Sequence, residues 1–221
     1  MTLLGLDTST AASAAAVLTD DGREFELRPP PGRLLEPPAH ARELMPAVRA
    51  AMDGAEVSFS DLGAIAVGVG PGGFTGLRIG IVTARALAGA AGIELRPVSS
   101  LAALAAGAGD GLVLALIDAR RGELFAALYE SGEELWEPFA ATPAALVERV
   151  QGARLAPLAV GDGSVRFREE LETSGIRVAP AESGSHVVSA LQVCRLAAGT
   201  PGMAPEAVLP HYLRAPDAKP R

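Results

Sequence analysis

The 221-residue sequence is poor in several residue types, and each scarcity excludes a class of protein. Its single cysteine, Cys194, excludes an internal disulfide and a cluster of thiolate metal ligands. Its single lysine, Lys219, stands close to the last residue, whereas the phosphate-binding P-loop and Schiff-base catalysis both need a lysine within the fold. No apolar stretch reaches the ~20 residues of a membrane-spanning helix.

Basic residues are also too few and too scattered to form a nucleic-acid surface. The formal net charge is -7 and no basic run occurs, so we do not expect the chain alone to bind nucleic acid or an anionic membrane. Any role on nucleic acid would be delegated to a partner. The first residues lack a basic region and Asp7 interrupts their apolar run, so we expect neither a signal peptide nor an anchor, and a cytoplasmic location.

The same order of features occurs in both halves of the chain. In the first half, an apolar strand over residues 3–6 ends at Asp7, and the chain returns as a strand over residues 12–18. In the second half, a strand from Leu112 ends at Asp118 and returns over residues 123–129. This repetition predicts an α/β protein with two similar domains that face each other across a cleft.

The glycine-rich segment 107–111 suggests the boundary between these domains. We therefore assign residues 1–106 to the first domain and residues 107–221 to the second, with a tail that packs back on the first. Periodic apolar residues and capping residues predict helices at 40–52, 77–91, 101–106, 143–150, 165–173 and 187–198.

A buried strand at residues 64–69 leads into a glycine-rich loop and then a helix. Gly68, Gly70 and Gly73 spell Gly-x-Gly-x-x-Gly with Glu94 about twenty residues on, which is the outline of a dinucleotide-binding turn. That pattern usually follows the first strand of a domain, which is not the case here, so we favour a structural glycine turn. Small residues leave one side of the following helix almost bare, which predicts a packing surface.

Two carboxylates stand where catalytic groups of α/β proteins often lie. Asp7 and Asp118 end buried strands and could hold Mg²⁺ for phosphoryl transfer or nuclease chemistry. The alternative is that each carboxylate caps its own turn. We favour the second interpretation, because Arg120 and Arg121 fill one turn with side chains and Thr8 stands where a glycine would expose the backbone.

Other catalytic arrangements receive little support. The three histidines show no metal-ligand spacing, and His40 at a helix start is expected at the surface or at an interface. Ser9, Ser99 and Ser100 have no neighbouring base in sequence that would activate them. The residues therefore indicate a subunit of an assembly more than an enzyme.

Several motifs together resemble the bacterial TsaB family, formerly called YeaZ. They are the glycine loop with its helix start, the strand ends Leu6-Asp7-Thr8-Ser9-Thr10 and Ile117-Asp118-Ala119-Arg120, the segment Val160-Gly161-Asp162-Gly163, and the tail motif Pro210-His211-Tyr212-Leu213-Arg214. The loop signature is carried by Gly70, Pro71, Gly72, Phe74, Thr75, Gly76 and Arg78. Gly73 departs from the serine that is usual in the family.

The resemblance implies two duplicated domains of the actin, Hsp70 and sugar-kinase type, which are RNase H-like, with a degenerate nucleotide site. The site's turns would be formed by Asp7, Thr8, Ser9, Asp118, Arg120, Gly161 and Gly163. No cofactor would be required, and ATP with Mg²⁺ would bind only weakly or at a subunit interface.

The resemblance also implies a partner and a role. The family pairs with the catalytic subunit TsaD, and with the ATPase TsaE, to place threonylcarbamoyl on the adenosine beside the anticodon of tRNA. Here the chain would be non-catalytic, would meet tRNA only through the complex, and would form a homodimer when alone. The expected interface lies on the first two helices, at His40, Leu44, Val48, Leu77, Gly80, Ile81, Ala84 and Ala88.

Two enzyme classes remain as alternatives to the subunit. An ATP-dependent phosphotransferase of the sugar-kinase type would use Asp7 and Asp118 around Mg²⁺-ATP. A metal-dependent nuclease would need three or four clustered carboxylates, and the sequence places only two.

Overall fold

The computed structural model describes residues 1–214, so the predicted packing of the last seven residues lies outside the described part of the chain. Two mixed five-stranded sheets form the framework. The strands of the first sheet are β1 (Thr2–Asp7), β2 (Ala14–Leu18), β3 (Glu24–Leu27), β4 (Leu62–Gly68) and β5 (Glu94–Val98). Those of the second are β6 (Leu112–Arg120), β7 (Glu123–Glu130), β8 (Glu133–Ala141), β9 (Leu158–Val160) and β10 (Arg177–Val178).

The two sheets have the same strand order and the same strand directions. The first runs β3-β2-β1-β4-β5, and the second runs β8-β7-β6-β9-β10. In each sheet the first three strands of the half are antiparallel neighbours, and the last two extend the sheet by parallel pairing. The structure confirms the α/β class and the repeated order of strands.

Helices cover both faces of each sheet. They are α1 (His40–Ala55), α2 (Phe74–Ala91), α3 (Ser100–Ala106), α4 (Pro143–Gly152), α5 (Asp162–Arg166), α6 (Arg168–Thr173) and α7 (Ala190–Ala197). Helices α1 and α2 pack on the outer face of the first sheet, and α4 and α6 pack on the outer face of the second. Helices α3 and α7 lie between the sheets and share one apolar cluster with both.

Successive side chains of β1 point to opposite faces of the first sheet, and each face packs against a different layer of helices. Leu4 and Leu6 point toward α1 and α2, whereas Leu3 points toward α7 and the centre of the molecule. All three side chains are at most 2% exposed, so β1 is buried on both faces. A strand that is buried on both faces is apolar throughout, as the residues that precede Asp7 are.

Helix α7 comes from the second half of the chain and packs on the first sheet. Its approach depends on Gly5, because a Cβ there would lie closer than 3.0 Å to the carbonyl oxygen of Ala190 and to the sulfur of Cys194. Burial raises the pKa of the Cys194 thiol to about 12, so the cysteine is a core residue. The boundary at residues 106–107 stays a prediction.

Three strands and one helix break were not expected from the sequence, and one of the three, β10, has only two residues. Strands β5 and β8 contain Pro97 and Pro138, which remove a backbone donor and hide the strand pattern. Both lie at the sheet edge, where a proline is tolerated because one side of the strand needs no donor. The helix predicted over residues 165–173 is divided at Phe167 into α5 and α6.

One local difference remains, in a segment that was expected to be a loop. The proline-rich segment before α1 contains a short 3-10 helix, Pro31–Leu35. Within residues 1–214, no helix is both long enough and apolar enough to cross a membrane.

Substitution of Gly5 by alanine tests the packing of α7 on the first sheet. We expect Gly5→Ala to lower the free energy of unfolding by about 1–3 kcal/mol, because the added methyl group overpacks a contact with a helix backbone. Gly89→Ala is the matched control: nothing lies within 4 Å of a Cβ at that helical position, so it should stabilise by about 0.5–1 kcal/mol. Urea denaturation measures both, and equal stability of the two variants would contradict the packing argument.

Candidate functional site

The glycine loop holds the start of α2 against the turn that follows β1. The Thr8 hydroxyl donates a hydrogen bond to the carbonyl oxygen of Gly76 at 2.8 Å, and the Gly73 amide donates to the carbonyl oxygen of Ser9 at 2.7 Å. A Cβ on Gly76 or Gly80 would lie closer than 3.0 Å to Thr8 atoms. These glycines therefore let a helix lie directly on a turn.

The Gly-x-Gly-x-x-Gly pattern is explained by contacts within the chain. A Cβ on Gly68 would run into the carboxylate of Asp7. Gly70 exchanges hydrogen bonds with Ser100: its amide donates to the Ser100 hydroxyl at 3.2 Å, and its carbonyl accepts from the Ser100 amide at 2.9 Å. Gly73 precedes α2, and a Cβ there would lie 3.5 Å from its nearest neighbour, so the family's usual serine would fit.

The carboxylate of Asp7 is enclosed and fully hydrogen-bonded. One oxygen accepts from the amide of Ser9 at 2.8 Å and from its hydroxyl at 2.6 Å, and the other accepts from the hydroxyl of Ser100 at 2.7 Å. The side chain is 1% exposed, and burial raises its pKa despite these hydrogen bonds. Asp7 therefore caps its own turn and joins it to the start of α3.

The second turn carries a carboxylate held by two arginines. Asp118 accepts a hydrogen bond from the amide of Arg120 at 2.8 Å, and its other oxygen lies 3.1 Å from the Arg120 guanidinium and 3.0 Å from that of Arg166. Arg120 has φ = 64°, a left-handed conformation that arginine rarely adopts. Gly161 and Gly163 pack against the backbone of β6 beside this turn.

Another carboxyl group, that of the half-buried Asp162, lies next to Asp118. It accepts a hydrogen bond from the Asp118 amide at 3.0 Å. Burial is the largest cause that raises the pKa of Asp162 to about 6, and the charge of Asp118 adds to it. Asp162 lies in the motif Val160-Gly161-Asp162-Gly163, of which only the two glycines were predicted to form part of a site, although a carboxylate that closely follows a buried strand was the signal used for Asp7 and Asp118.

These residues line a cavity between the two halves of the chain. Its volume is about 460 Å³, and its walls include Ser9 and Gly76 from the first half and Asp118, Arg120 and Asp162 from the second. A neighbouring cavity of about 360 Å³ shares the last three residues and continues past Arg166.

His40 lines this cavity and does not lie at the surface, so the expectation of an exposed residue was wrong. Its ring is 4% exposed and its Nδ1 lies 2.9 Å from the Ser13 hydroxyl. The ring sits beneath Gly76, where a Cβ would come within 3.0 Å of Nε2. Burial lowers the pKa of His40, so the ring is neutral at pH 7.

The residues expected to meet a partner point instead into the core of this chain. Each is at most 4% exposed or is a buried glycine, and they are His40, Leu44, Val48, Leu77, Gly80, Ile81, Ala84 and Ala88. They face the first sheet, because the close approach of α2 to the turn after β1 needs small residues on the inner face of the helix. Charged substitutions at Ala84 and Ala88 would therefore unfold the chain, and they would not test pairing.

The outer faces of α1 and α2 carry different residues. On α1, Met45 is 45% exposed, and Arg42, Pro46 and Arg49 are exposed beside it. On α2, Val82 is 60% exposed and lies between Arg78 and Ala86. The helical period distinguishes the inner from the outer face of each helix. The inner face was predicted as the interface because only its apolar character was considered.

Comparison with known proteins defines the class of this two-sheet structure. The sequence model of the family described as TsaD: tRNA N6-adenosine threonylcarbamoyltransferase matches residues 37–196, which is more than half of the chain. The chain belongs to this family.

Named relatives identify the particular member that the chain resembles. TsaB of Escherichia coli, a tRNA threonylcarbamoyladenosine biosynthesis protein, is 38% identical over 143 residues, which cover 62% of this chain and 58% of that protein. An uncharacterised protein of Mycobacterium tuberculosis is 36% identical over 221 residues, with coverage of 99% and 94%. The solved structure of YeaZ from Pseudomonas aeruginosa matches with a TM-score of 0.76 at 32% identity, with coverage of 96% and 99%. The resemblance to TsaB, or YeaZ, is thus confirmed, although the alignment spans less than two thirds of the E. coli protein.

Substitution of Asp162 by asparagine tests the half-buried carboxyl group. The folded pKa of about 6 lies above the ~3.9 of an unfolded chain, so the folded state binds more protons between these values and its stability falls as pH rises through them. Asparagine keeps the acceptor for the Asp118 amide without a charge. We expect Asp162→Asn to gain about 1–2 kcal/mol at pH 7.5 and to depend less on pH than the parent, with the share of Asp7 remaining.

Urea unfolding at pH 5.0 and pH 7.5 measures this effect. Asp110→Asn serves as the control, because that carboxylate is exposed in a loop and its removal should leave the parent's pH dependence in place. A destabilised Asp162→Asn at pH 7.5 would contradict the cost assigned to burial.

Proposed function

We propose that the chain is the non-catalytic subunit of the complex that transfers threonylcarbamoyl to the adenosine beside the anticodon of tRNA. It pairs with the catalytic TsaD subunit and supports it. The observation that carries the proposal is that both strand-end carboxylates already have partners within the chain. Asp7 accepts hydrogen bonds from two serines, and Asp118 forms ion pairs with two arginines. Membership of the TsaD family and similarity to TsaB supply the partner and the pathway.

The repeated strand order supports two duplicated domains of the actin, Hsp70 and sugar-kinase type that face each other across the cavity. In such a fold the turns after β1 and β6 would hold nucleotide phosphates. Here Thr8 and Ser9 fill one turn by contact with α2, and Arg120 fills the other by its ion pair with Asp118. The chain therefore requires no cofactor, and ATP with Mg²⁺ binds weakly or only where the two subunits meet.

The outer faces of α1 and α2 form the surface that meets TsaD. The two helices lie side by side on one face of the first sheet, so their outer faces make one continuous surface. Met45 and Val82 expose apolar side chains within it. A stable complex buries about 1,600 Å² in total, and the same surface forms a homodimer when TsaD is absent.

The remaining partners follow from the charge of the chain and from the family. With a formal charge of -7, the chain contacts tRNA indirectly, through the complex. TsaE completes the assembly, which works in the cytoplasm.

Light scattering after size exclusion tests the pairing. The chain mixed with TsaD of the same organism should give a heterodimer peak, and tRNA modification by TsaD should require the chain. Val82→Glu should weaken the heterodimer at least about a hundredfold, because it replaces an apolar contact with a carboxylate that loses its water on binding and that lies within reach of Arg78. Leu135→Glu on β8 is the matched control, since it puts the same charge on an apolar residue that is 43% exposed on the other sheet. A monomeric chain that leaves TsaD activity unchanged would refute the proposal.

The phosphotransferase alternative is tested by calorimetry of the isolated chain with Mg²⁺-ATP. We expect no tight binding, because two arginines already neutralise the Asp118 carboxylate that would face the metal. Tight binding that Asp118→Ala abolishes would support the kinase alternative and would count against the subunit.

A further inference from the structure

Three side chains form a stacked group at the start of α2. The ring of Tyr212, from the C-terminal segment, stacks on Phe74 with centroids 5.4 Å apart. The guanidinium carbon of Arg78 lies 3.7 Å from the centroid of the Phe74 ring. Its Nε donates a hydrogen bond to the Tyr212 hydroxyl at 3.0 Å. Through Tyr212, the tail motif Pro210-His211-Tyr212-Leu213-Arg214 thus contacts two residues of the glycine-loop signature, Phe74 and Arg78.

This group fixes an arginine at the protein surface. The cation–π contact sets the plane of the guanidinium, and the Tyr212 hydroxyl occupies its Nε. Within residues 1–214, the two terminal nitrogens of Arg78 have no hydrogen-bond or ion-pair partner, and the residue is exposed. The two terminal nitrogens form a fork that can donate two parallel hydrogen bonds to a planar anion. Because the fork is already held in place, little side-chain entropy is lost when the anion binds.

The surroundings of the fork favour a protein carboxylate over an RNA phosphate. Phe74 and Tyr212 contact the guanidinium directly. Val82, 60% exposed, follows Arg78 by one helical turn on α2, and Leu209, 68% exposed, belongs to the same C-terminal segment as Tyr212. Aromatic residues and arginine surrounded by apolar contacts are typical of the residues that dominate protein interfaces. An RNA surface would need further positive charge, and the chain carries a formal charge of -7.

We propose that Arg78 forms a bidentate ion pair with an aspartate or glutamate of the partner protein, and that Tyr212 positions it for this pair. The docking surface of α2 therefore extends onto the C-terminal segment through Leu209 and Tyr212. This inference rests on the proposed function, in which TsaD is the partner. It adds that Arg78 is the anchor residue of the contact and that the partner must present a carboxylate to it.

The dissociation constant of the heterodimer, measured by calorimetry at two salt concentrations, tests the anchor. Arg78→Gln should raise it about tenfold to a hundredfold, since a hydrogen-bonded ion pair is lost. Tyr212→Phe keeps the stacked ring and loses only the hydroxyl, so its effect should be smaller. If Tyr212 acts through Arg78, the double variant should bind no more weakly than Arg78→Gln alone, and it should lose part of the salt dependence.

Arg149→Gln is the matched control. Arg149 also stacks on aromatic rings, those of Trp136 and Phe139 beside the second sheet, so this variant loses the same charge and the same kind of contact elsewhere. It should leave the dissociation constant unchanged. Thermal unfolding of each variant shows whether a loss of binding reflects a loss of fold.

The outcomes separate this inference from the proposed function. If the parent chain does not bind TsaD, the proposed function fails. If the parent binds and folded Arg78→Gln binds equally well, only the carboxylate anchor is overturned. If Arg78→Gln leaves the heterodimer intact but reduces retention of tRNA by the complex, the fork binds a phosphate and the proposal is overturned in favour of RNA.

Discussion

The close approach of α2 to the turn after β1 is the constraint on which the rest of the structure depends. Gly76 and Gly80 bring the helix backbone against Thr8, and no side chain could stand between them. The contact turns the small residues of α2 inward and leaves Phe74, Arg78 and Val82 outside. It also covers the ring of His40. The position of α2 therefore determines both which of its residues form the outer surface and which residues line the cavity beside His40.

Hydrogen bonds and ion pairs inside the chain engage both strand-end carboxylates. Burial raises the pKa of Asp7, whose carboxylate accepts three hydrogen bonds. Asp118 forms ion pairs with Arg120 and Arg166. A carboxylate whose lone pairs are engaged by its own protein must break these bonds before it can hold a cation. Arginine in a left-handed turn is unusual, and here it gives Asp118 both a backbone and a side-chain partner.

The sequence predicted the parts of the fold that follow from local pattern. Apolar runs that end in aspartate gave β1 and β6, and capping residues with helical periodicity gave α1, α3 and α4. Strands β5 and β8 were missed because a proline in a strand is permitted only by its place at a sheet edge, which is a tertiary property. Strand β10 was missed because two residues are too few to show a periodic pattern. The inner face of α2 was mistaken for an interface because alanine and glycine do not reveal whether a sheet or another subunit covers them. The pairs Asp118–Arg166 and Arg78–Tyr212 join residues 48 and 134 positions apart, and no local pattern connects them.

The position of α7 between the sheets has a consequence for synthesis on the ribosome. Strand β1 emerges first, but the helix that covers its inner face ends at Ala197. At about 5–20 residues per second, the roughly 90 residues between β5 and α7 take about 5–18 s to appear. During that time the first sheet can pair its strands and bind α1 and α2, while one apolar face stays open to water and to chaperones. The inner face of the first sheet is therefore covered only when nearly the whole chain has been made.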